Sequence, residues 1–235
     1  MRLGAAIPDF PADTTQGPIR FHDWLGDSWC VLFAHPADFT PVCTTELGKM
    51  AAYDRDFRAR GVKLLALSCN NLRDHSWWLD DIRTYCLDMP EEFPYPIISD
   101  ERRELAVLLD MVDEEGSRDP ETALAVRSLY VIGPDRRLKL CMLYPNCTGR
   151  DVDEILRVVD SLQLTSRLKG VGTPADWTPG ARVLVLPEVD DEDLPALFPG
   201  GVDTVALPSG RNYLRTAADP CCHAHYLVPR GPPPL

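Results

Sequence analysis

Trp29-Cys30-Val31-Leu32-Phe33-Ala34-His35-Pro36-Ala37-Asp38-Phe39-Thr40-Pro41-Val42-Cys43 is the stretch that decides how the rest of the chain is read. Its first six residues are an uninterrupted apolar run, the pattern of a strand covered on both faces. A loop with two prolines follows. From 42 to 59 a helical period runs through Leu47, Met50, Ala51, Tyr53, Asp54 and Phe57, and Gly61 stops it. A buried strand feeding directly into a helix is the start of an α/β layer.

Working outward, the next strand spans Val62–Ser68, and a helix is predicted over 71–88 with Trp77, Trp78, Ile82 and Tyr85 as its apolar stripe. A short extended piece at 96–98 and a short helix at 101–109 come next. The runs 125–132 and 138–143 are joined by Gly133-Pro134-Asp135-Arg136, a hairpin signal. Residues 151–164 form an amphipathic helix through Val152, Ile155, Leu156, Val159 and Leu162, with Asp151 placed to cap it. The order β-α-β-α, then β-β-α, predicts an α/β domain with a central mixed sheet, the thioredoxin-like arrangement.

Composition changes after about Arg167. Gly170, Gly172, Pro174, Pro179 and Gly180 form a breaker-rich stretch. Beyond it lie a short strand (182–186), an acidic turn (188–193), a short helix (194–198) and a strand (202–207). The expected organisation is a thioredoxin-like domain at 1–167, a small C-terminal α+β module at 168–220, and a disordered tail at 221–235. The module is expected to be too small to bury a core alone, and so to pack on its own domain or on a partner subunit.

The chain has 235 residues, 45% of them hydrophobic, which is enough for a real core. Its 24 basic and 36 acidic residues leave a formal charge of −12, which opposes general affinity for nucleic acid or anionic membrane. Met1–Phe10 reaches Pro8 and Asp9 without an apolar run, and no stretch approaches the ~20 apolar residues of a membrane span. A cytoplasmic protein with no transmembrane segment is the expectation. Eight cysteines (30, 43, 69, 86, 141, 147, 221 and 222) are then read mostly as small buried hydrophobes rather than as a disulfide framework. Asn146-Cys147-Thr148 fits a glycosylation sequon, which has no role without secretion.

The chemistry concentrates at Cys43, where the loop becomes helix. First-turn N–H groups lack partners within the helix and carry partial positive charge. A cysteine placed there leans toward thiolate, the nucleophilic form. A thiol of ordinary pKa, ~8.5, is about 3% ionised at pH 7; bringing a thiol to ~6 requires roughly 3.4 kcal/mol. A helix dipole supplies up to ~2 kcal/mol. A second positive group is therefore expected, an arginine before a lysine. The prolines hold the loop rigid for a small substrate. Thr40, three residues before the sulfur, can donate to sulfur or substrate while accepting another bond.

Pro36-x3-Thr40-x2-Cys43 is similar to the signature of the peroxiredoxins. The longer string from His35 through Thr44-Thr45-Glu46-Leu47 resembles their one-cysteine subfamily. The likeness continues through Phe93-Pro94-Tyr95-Pro96, Arg127-Ser128-Leu129-Tyr130, Thr148-Gly149-Arg150 and Leu207-Pro208-Ser209-Gly210, from Leu3 to about Arg215. The resemblance implies that Cys43 attacks peroxide, that Thr40 and Pro36 shape the site, and that Arg127 is the missing positive charge. It gives His35 contact with the cysteine and makes Glu46 and Arg150 supporting residues. It implies reduction of hydrogen peroxide and of organic or phospholipid hydroperoxides through a sulfenic acid, with no cofactor and no metal. Thr173 stands where two-cysteine relatives carry a resolving cysteine. An external thiol such as glutathione, with a glutathione transferase as partner, is thus the implied reductant, and a homodimer the implied assembly. Cys86 and the pair Cys221-Cys222, near His223 and His225, remain other thiols to weigh.

The subfamily's second activity, a phospholipase A2, uses Gly-x-Ser-x-Gly with a histidine and an aspartate. This chain has Gly26-Asp27-Ser28-Trp29-Cys30, with His22 and Asp135 in the other roles. Cys30 replaces the final glycine, and Ser28 precedes a strand instead of standing between strand and helix. The alternative class is a non-enzymatic thioredoxin-fold redox sensor or chaperone, which would not need Thr40 and Arg127 beside Cys43. A disulfide oxidoreductase would want Cys-x-x-Cys, which does not occur.

Overall fold

The computed structural model describes residues 1–115, 119 and 124–219. Cys221, Cys222, His223, His225 and the expected tail lie outside the described residues. Two compact units are present, Met1–Val152 and the chain from Asp153 onward.

In the first unit a small antiparallel pair, β1 (Pro11–Ala12) and β2 (Ile19–Arg20), leads into a short helix, α1 (Phe21–Leu25). None of these three was anticipated: each is too short to display a period. The apolar run forms β3 (Trp29–Ala34), buried along nearly its whole length. It feeds α2 (Pro41–Ala52), with Thr40 at the N-cap and Pro41 in the first turn, where a proline loses no helical hydrogen bond. The helix expected over 42–59 divides at Tyr53, where Asp56 N–H reaches Tyr53 O three residues back. The chain restarts as α3 (Asp54–Ala59), whose first turn carries Asp54 and Asp56, as a helix N-terminus favours.

Next come β4 (Val62–Ser68), α4 (Leu72–Tyr85), β5 (Ile97–Ser99), α5 (Glu104–Leu108), β6 (Arg127–Ile132) and β7 (Leu138–Tyr144). The sheet order is β5-β4-β3-β6-β7. β3 lies parallel to β4 and antiparallel to β6, so the sheet is mixed, as the element order implied. The β6–β7 hairpin turns through Gly133–Arg136, with a bulge at Lys139. One face of β3 sends Cys30, Leu32 and Ala34 into a cluster with Phe10, Phe21, Leu65, Tyr130 and Ile132.

α4 corrects one expectation. Its buried side chains are His75, Trp78 and Ile82, spaced i, i+3, i+7. Trp77 lies ~100° round the helix from Trp78; it is exposed and covered by the Arg73 guanidinium. Tyr85, at the last turn, is exposed as well.

The second unit opens with α6 (Val152–Arg167), which starts on the last residue of the first. It continues with β8 (Val171–Gly172), β9 (Val183–Val185), α7 (Leu194–Leu197), β10 (Val202–Thr204) and β11 (Arg215–Ala217), and the strands form one antiparallel sheet ordered β10-β11-β9-β8. This C-terminal part does bury a cluster of its own: Leu164, Val171, Trp177, Val183, Val185, Val189, Phe198 and Ala217. The cluster draws on Leu164 of α6, a helix that the expected boundary at 167 assigned to the first domain, and two of its short strands, β8 and β11, were not anticipated. The six described cysteines are free thiols; Cys30 and Cys43 are buried, whereas Cys147 is exposed. No helix among the described residues is long and apolar enough to cross a membrane.

Candidate active site

Cys43 sits in the first turn of α2 with no exposed surface. The first regular helical bond of this turn runs from Thr44 N–H to Thr40 O, so the N–H groups before it have no partner within the helix. Arg127, the first residue of β6, is nearly as buried, at 2% exposure. Its Nη1 donates both to Cys43 Sγ at 3.3 Å and to Glu46 Oε2 at 2.6 Å. Its Nε and Nη2 donate to Asn146 O at 3.0 and 2.8 Å. All three guanidinium nitrogens are thereby held, something a lysine could not reproduce.

Glu46 holds two arginines. Oε1 accepts from Arg150 N–H at 2.7 Å and from Arg150 Nε at 2.8 Å, while Oε2 accepts from Arg150 Nη2 at 3.0 Å. Arg150 Nη1 also donates to Ser128 O at 2.8 Å. Burial pushes the Glu46 carboxyl up, but the Arg150 and Arg127 guanidinium groups outweigh it and hold the carboxyl below its ordinary value. A carboxylate between two arginines leaves net positive charge, and Arg127 directs its share at the sulfur.

Thr40 differs in one respect from its expected part. Its hydroxyl donates to Ala37 O at 2.8 Å, which leaves its oxygen as an acceptor for an incoming O–H. Thr44 Oγ1 donates to Thr40 O at 2.8 Å and accepts from Trp78 Nε1 at 3.0 Å, tying α4 to the turn that carries Cys43. Pro36 lies in the loop immediately after His35. His35 is buried, with Nε2 at 2.8 Å from Asp38 Oδ1, and Asp38 Oδ2 lies 2.6 Å from His75 Nδ1. Asp38 and His75 were not anticipated. His75 at an apolar helix position was a signal open to notice, but its pairing with a loop aspartate 37 residues earlier was not.

His35, Asp38 and His75 bring their ligand-capable atoms within 4.8 Å of one another. The nitrogen–oxygen separations of 2.6 and 2.8 Å are those of hydrogen bonds. Tetrahedral metal bonds of ~2.0–2.1 Å would hold such atoms about 3.3 Å apart.

The other serine-centred set is only partly assembled. The Cys30–Ile132 register places Ser28 and the Gly133–Arg136 turn at one end of the sheet. Ile7, whose N–H donates to Arg136 O, brings His22 to the same end. Yet His22 Nε2 donates to Ile7 O at 3.0 Å, Asp135 pairs with Lys139, and none of Ser28, His22 and Asp135 hydrogen-bonds to another. Gly26 has its own reason to be glycine: it ends α1 at φ 58° and ψ −133°.

A mixed-sheet thioredoxin-like fold with a buried helix-start thiol facing a fixed arginine defines a thiol-based redox enzyme. Residues 3–140 match the AhpC/TSA family, and residues 161–199 match the C-terminal domain of 1-Cys peroxiredoxin. Peroxiredoxin-6 of Gallus gallus is 54% identical, and that of Homo sapiens 52% identical; both alignments span 93% of this chain and 97% of the relative. Among solved structures, a cysteine-to-serine mutant of Peroxiredoxin 6 of Arenicola marina superposes with a TM-score of 0.87 at 52% identity, covering 94% of this chain and 99% of that one. A yeast mitochondrial 1-Cys peroxiredoxin, described with a thiol-resolving mechanism through glutathione/thioredoxin systems, gives 0.81 at 40%, covering 93% and 99%. The chain belongs to the AhpC/TSA family of peroxiredoxins and is a thiol peroxidase.

Proposed function

We propose that the chain reduces hydrogen peroxide and organic hydroperoxides, phospholipid hydroperoxides included, at Cys43, and that an external thiol completes the cycle. The observation that carries this reading is the single Arg127 Nη1 donating to both Cys43 Sγ and Glu46 Oε2. The Cys43 thiolate attacks one peroxide oxygen, the S–O bond forms as the O–O bond breaks, and the electron pair leaves on the distal oxygen, which takes a proton to become water or an alcohol. Cys43 is left as sulfenic acid. Arg127 stabilises charge on the thiolate and on the departing oxygen, Thr40 accepts from the peroxide O–H, and Pro36 holds the loop. A hollow of about 420 Å³ lined by Phe39, Thr40, Pro41, Thr44, Thr45, Asp81 and Tyr85 adjoins this turn and suits the organic part of a hydroperoxide.

The external-thiol step gains support from Thr173, whose hydroxyl pairs with Ser161 Oγ at 2.7 Å where a resolving cysteine would stand. Glutathione, delivered with a transferase, is the thiol of this reading, and the glutathione/thioredoxin systems described for the yeast relative support a small-thiol or thioredoxin reductant in general. Because Cys43 is buried, the first turn of α2 opens before a thiol of that size reaches its sulfur. A cytoplasmic homodimer belongs to the same reading, as does a peroxidase domain that runs to about residue 167. Ser28, His22 and Asp135 lack mutual hydrogen bonds, an arrangement that does not favour lipid hydrolysis.

The test is peroxide turnover by Cys43→Ser, with mass spectrometry of the peroxide-treated native chain. Full turnover by that variant would remove the reading. A disulfide between Cys43 and any internal cysteine would remove the external-thiol step alone.

A further inference from the structure

The hollow beside the cysteine turn can be read by asking where its side-chain donors point. Thr40, Thr44 and Thr45 all line it. The Thr40 hydroxyl donates to Ala37 O, Thr44 to Thr40 O and Thr45 to Val42 O, each at 2.8 Å. All three have spent their one O–H on the chain, so toward the hollow these side chains can only accept. From α4 come Asp81 and Tyr85, four residues apart and so on one face of the helix. The Asp81 carboxylate is acceptor-only as well. Among the described lining residues, the Tyr85 phenol is the one hydroxyl left to donate.

Charge points the same way. Asp81 is exposed, and it is the one charged side chain among the described residues that line the hollow. Arg83 is engaged by Asp80 at 3.1 Å. Arg73, on the same stripe of α4, lies over Trp77, and its eight-residue distance from Asp81 is about 12 Å along the helix axis, beyond the ~10 Å over which salt at 0.1 M screens. Buried Arg127, bonded to Cys43 Sγ, attracts anions; Asp81 at the rim repels them. Phe39 supplies an apolar wall. It is 51% exposed, and its backbone stands at φ 54°, the left-handed region that a non-glycine residue enters at a cost. With Tyr85, 63% exposed, it offers aromatic surface to an apolar body or to a cation.

We propose that this hollow sorts organic hydroperoxides by charge. It takes those whose organic part is apolar or carries an ammonium group and turns away those that carry a carboxylate, with Asp81 as the specificity-determining residue. This deepens the peroxidase reading above and rests on it. The hydroperoxide O–H goes to Thr40, its organic body lies against Phe39 and Tyr85, and a charge on that body comes to Asp81. A carboxylate there meets a like charge, and acceptors in place of donors.

Stopped-flow tests this through the rate constant of Cys43 oxidation by cumene hydroperoxide and by its para-carboxymethyl and para-aminomethyl analogues. Each value is divided by that of the same chain with hydrogen peroxide, which has no organic part. A unit charge about 6 Å from Asp81 in water changes a rate by roughly threefold, so the native chain is expected to prefer ammonium to carboxylate by about tenfold at low salt, with the neutral parent between them. The preference should shrink in 1 M salt, where screening acts over about 3 Å. Asp81→Asn keeps the shape and is expected to bring the ratio close to one, and Asp81→Lys to reverse it. A native chain that reacts as fast with the carboxylate as with the ammonium compound, or an Asp81→Asn chain with the native ratio, would overturn the proposal. The salt arm needs no variant, so it decides if a variant folds poorly: a native preference that ignores salt counts against Asp81. Failure of the peroxidase reading looks different, because none of the peroxides would then consume the Cys43 thiol.

Discussion

At the scale of single residues, the site depends on Arg127 and on the carboxylate that aims it. Arg127→Lys keeps a charge but loses the bidentate hold on Asn146 O and the fixed line to Cys43. Its peroxide-reduction rate constant is expected to fall by about 10²–10³, as for loss of one preorganised donor, and stopped-flow measures it directly. Glu46→Gln leaves Arg127 and Arg150 buried without their counter-charge. Urea unfolding is expected to register a loss of about 3–5 kcal/mol. The pH behaviour follows from the sign of the shift. The folded Glu46 carboxyl titrates below its unfolded value, so its contribution is complete above the ordinary carboxylate range, at pH ~4.3 and higher, and is lost as pH falls through the folded value. Asp38, held low by His35 and His75 against the pull of burial, works in the same direction. Acid unfolding of Glu46→Gln should therefore be flatter below pH ~4 than that of the native chain.

At the scale of elements, the cysteine-bearing helix is set by its contact with α4. A Cβ on Gly48 would meet Cys86 Cβ at 2.8 Å, and Cys86 Sγ donates to Gly48 O at 3.3 Å. That Cβ cannot swing aside as a chain end could. Gly48→Ala is expected to destabilise the fold by about 1–3 kcal/mol in thermal or urea unfolding, and to slow Cys43 oxidation by shifting α2. α4 is begun by Asn71, whose side chain accepts from Asp74 N–H at 2.9 Å. Asn71→Ala should cost about 1 kcal/mol in the same assay and leave the Cys43 rate nearly unchanged. The places of these helices were legible from the period beginning at 42 and from the apolar stripe over 71–88. The division at Tyr53 and the burial of His75 in place of Trp77 were not, since both depend on what the helices pack against.

At the scale of the whole molecule, the second unit stands on a cluster around Trp177. Trp177→Ala is expected to lower the protection of backbone amides in β8, β9 and β11 by an amount equivalent to about 3–5 kcal/mol, read by hydrogen exchange. The sequence by itself determined the mixed α/β order, the hairpin, the thiol at a helix start and the need for a second positive group. Those features are local: period, turn residues and helix ends are properties of neighbouring residues. Only the tertiary structure decided that Glu46 would divide itself between Arg127 and Arg150. It alone turned the Thr40 hydroxyl toward Ala37, brought Asp38 to both His35 and His75, and placed Ser28, His22 and Asp135 at one end of the sheet without joining them. Each of these is a contact between residues that are remote along the chain or free to choose among partners, and packing makes that choice. Cys43 was legible as a nucleophile from its place in the chain; the geometry that serves it was not.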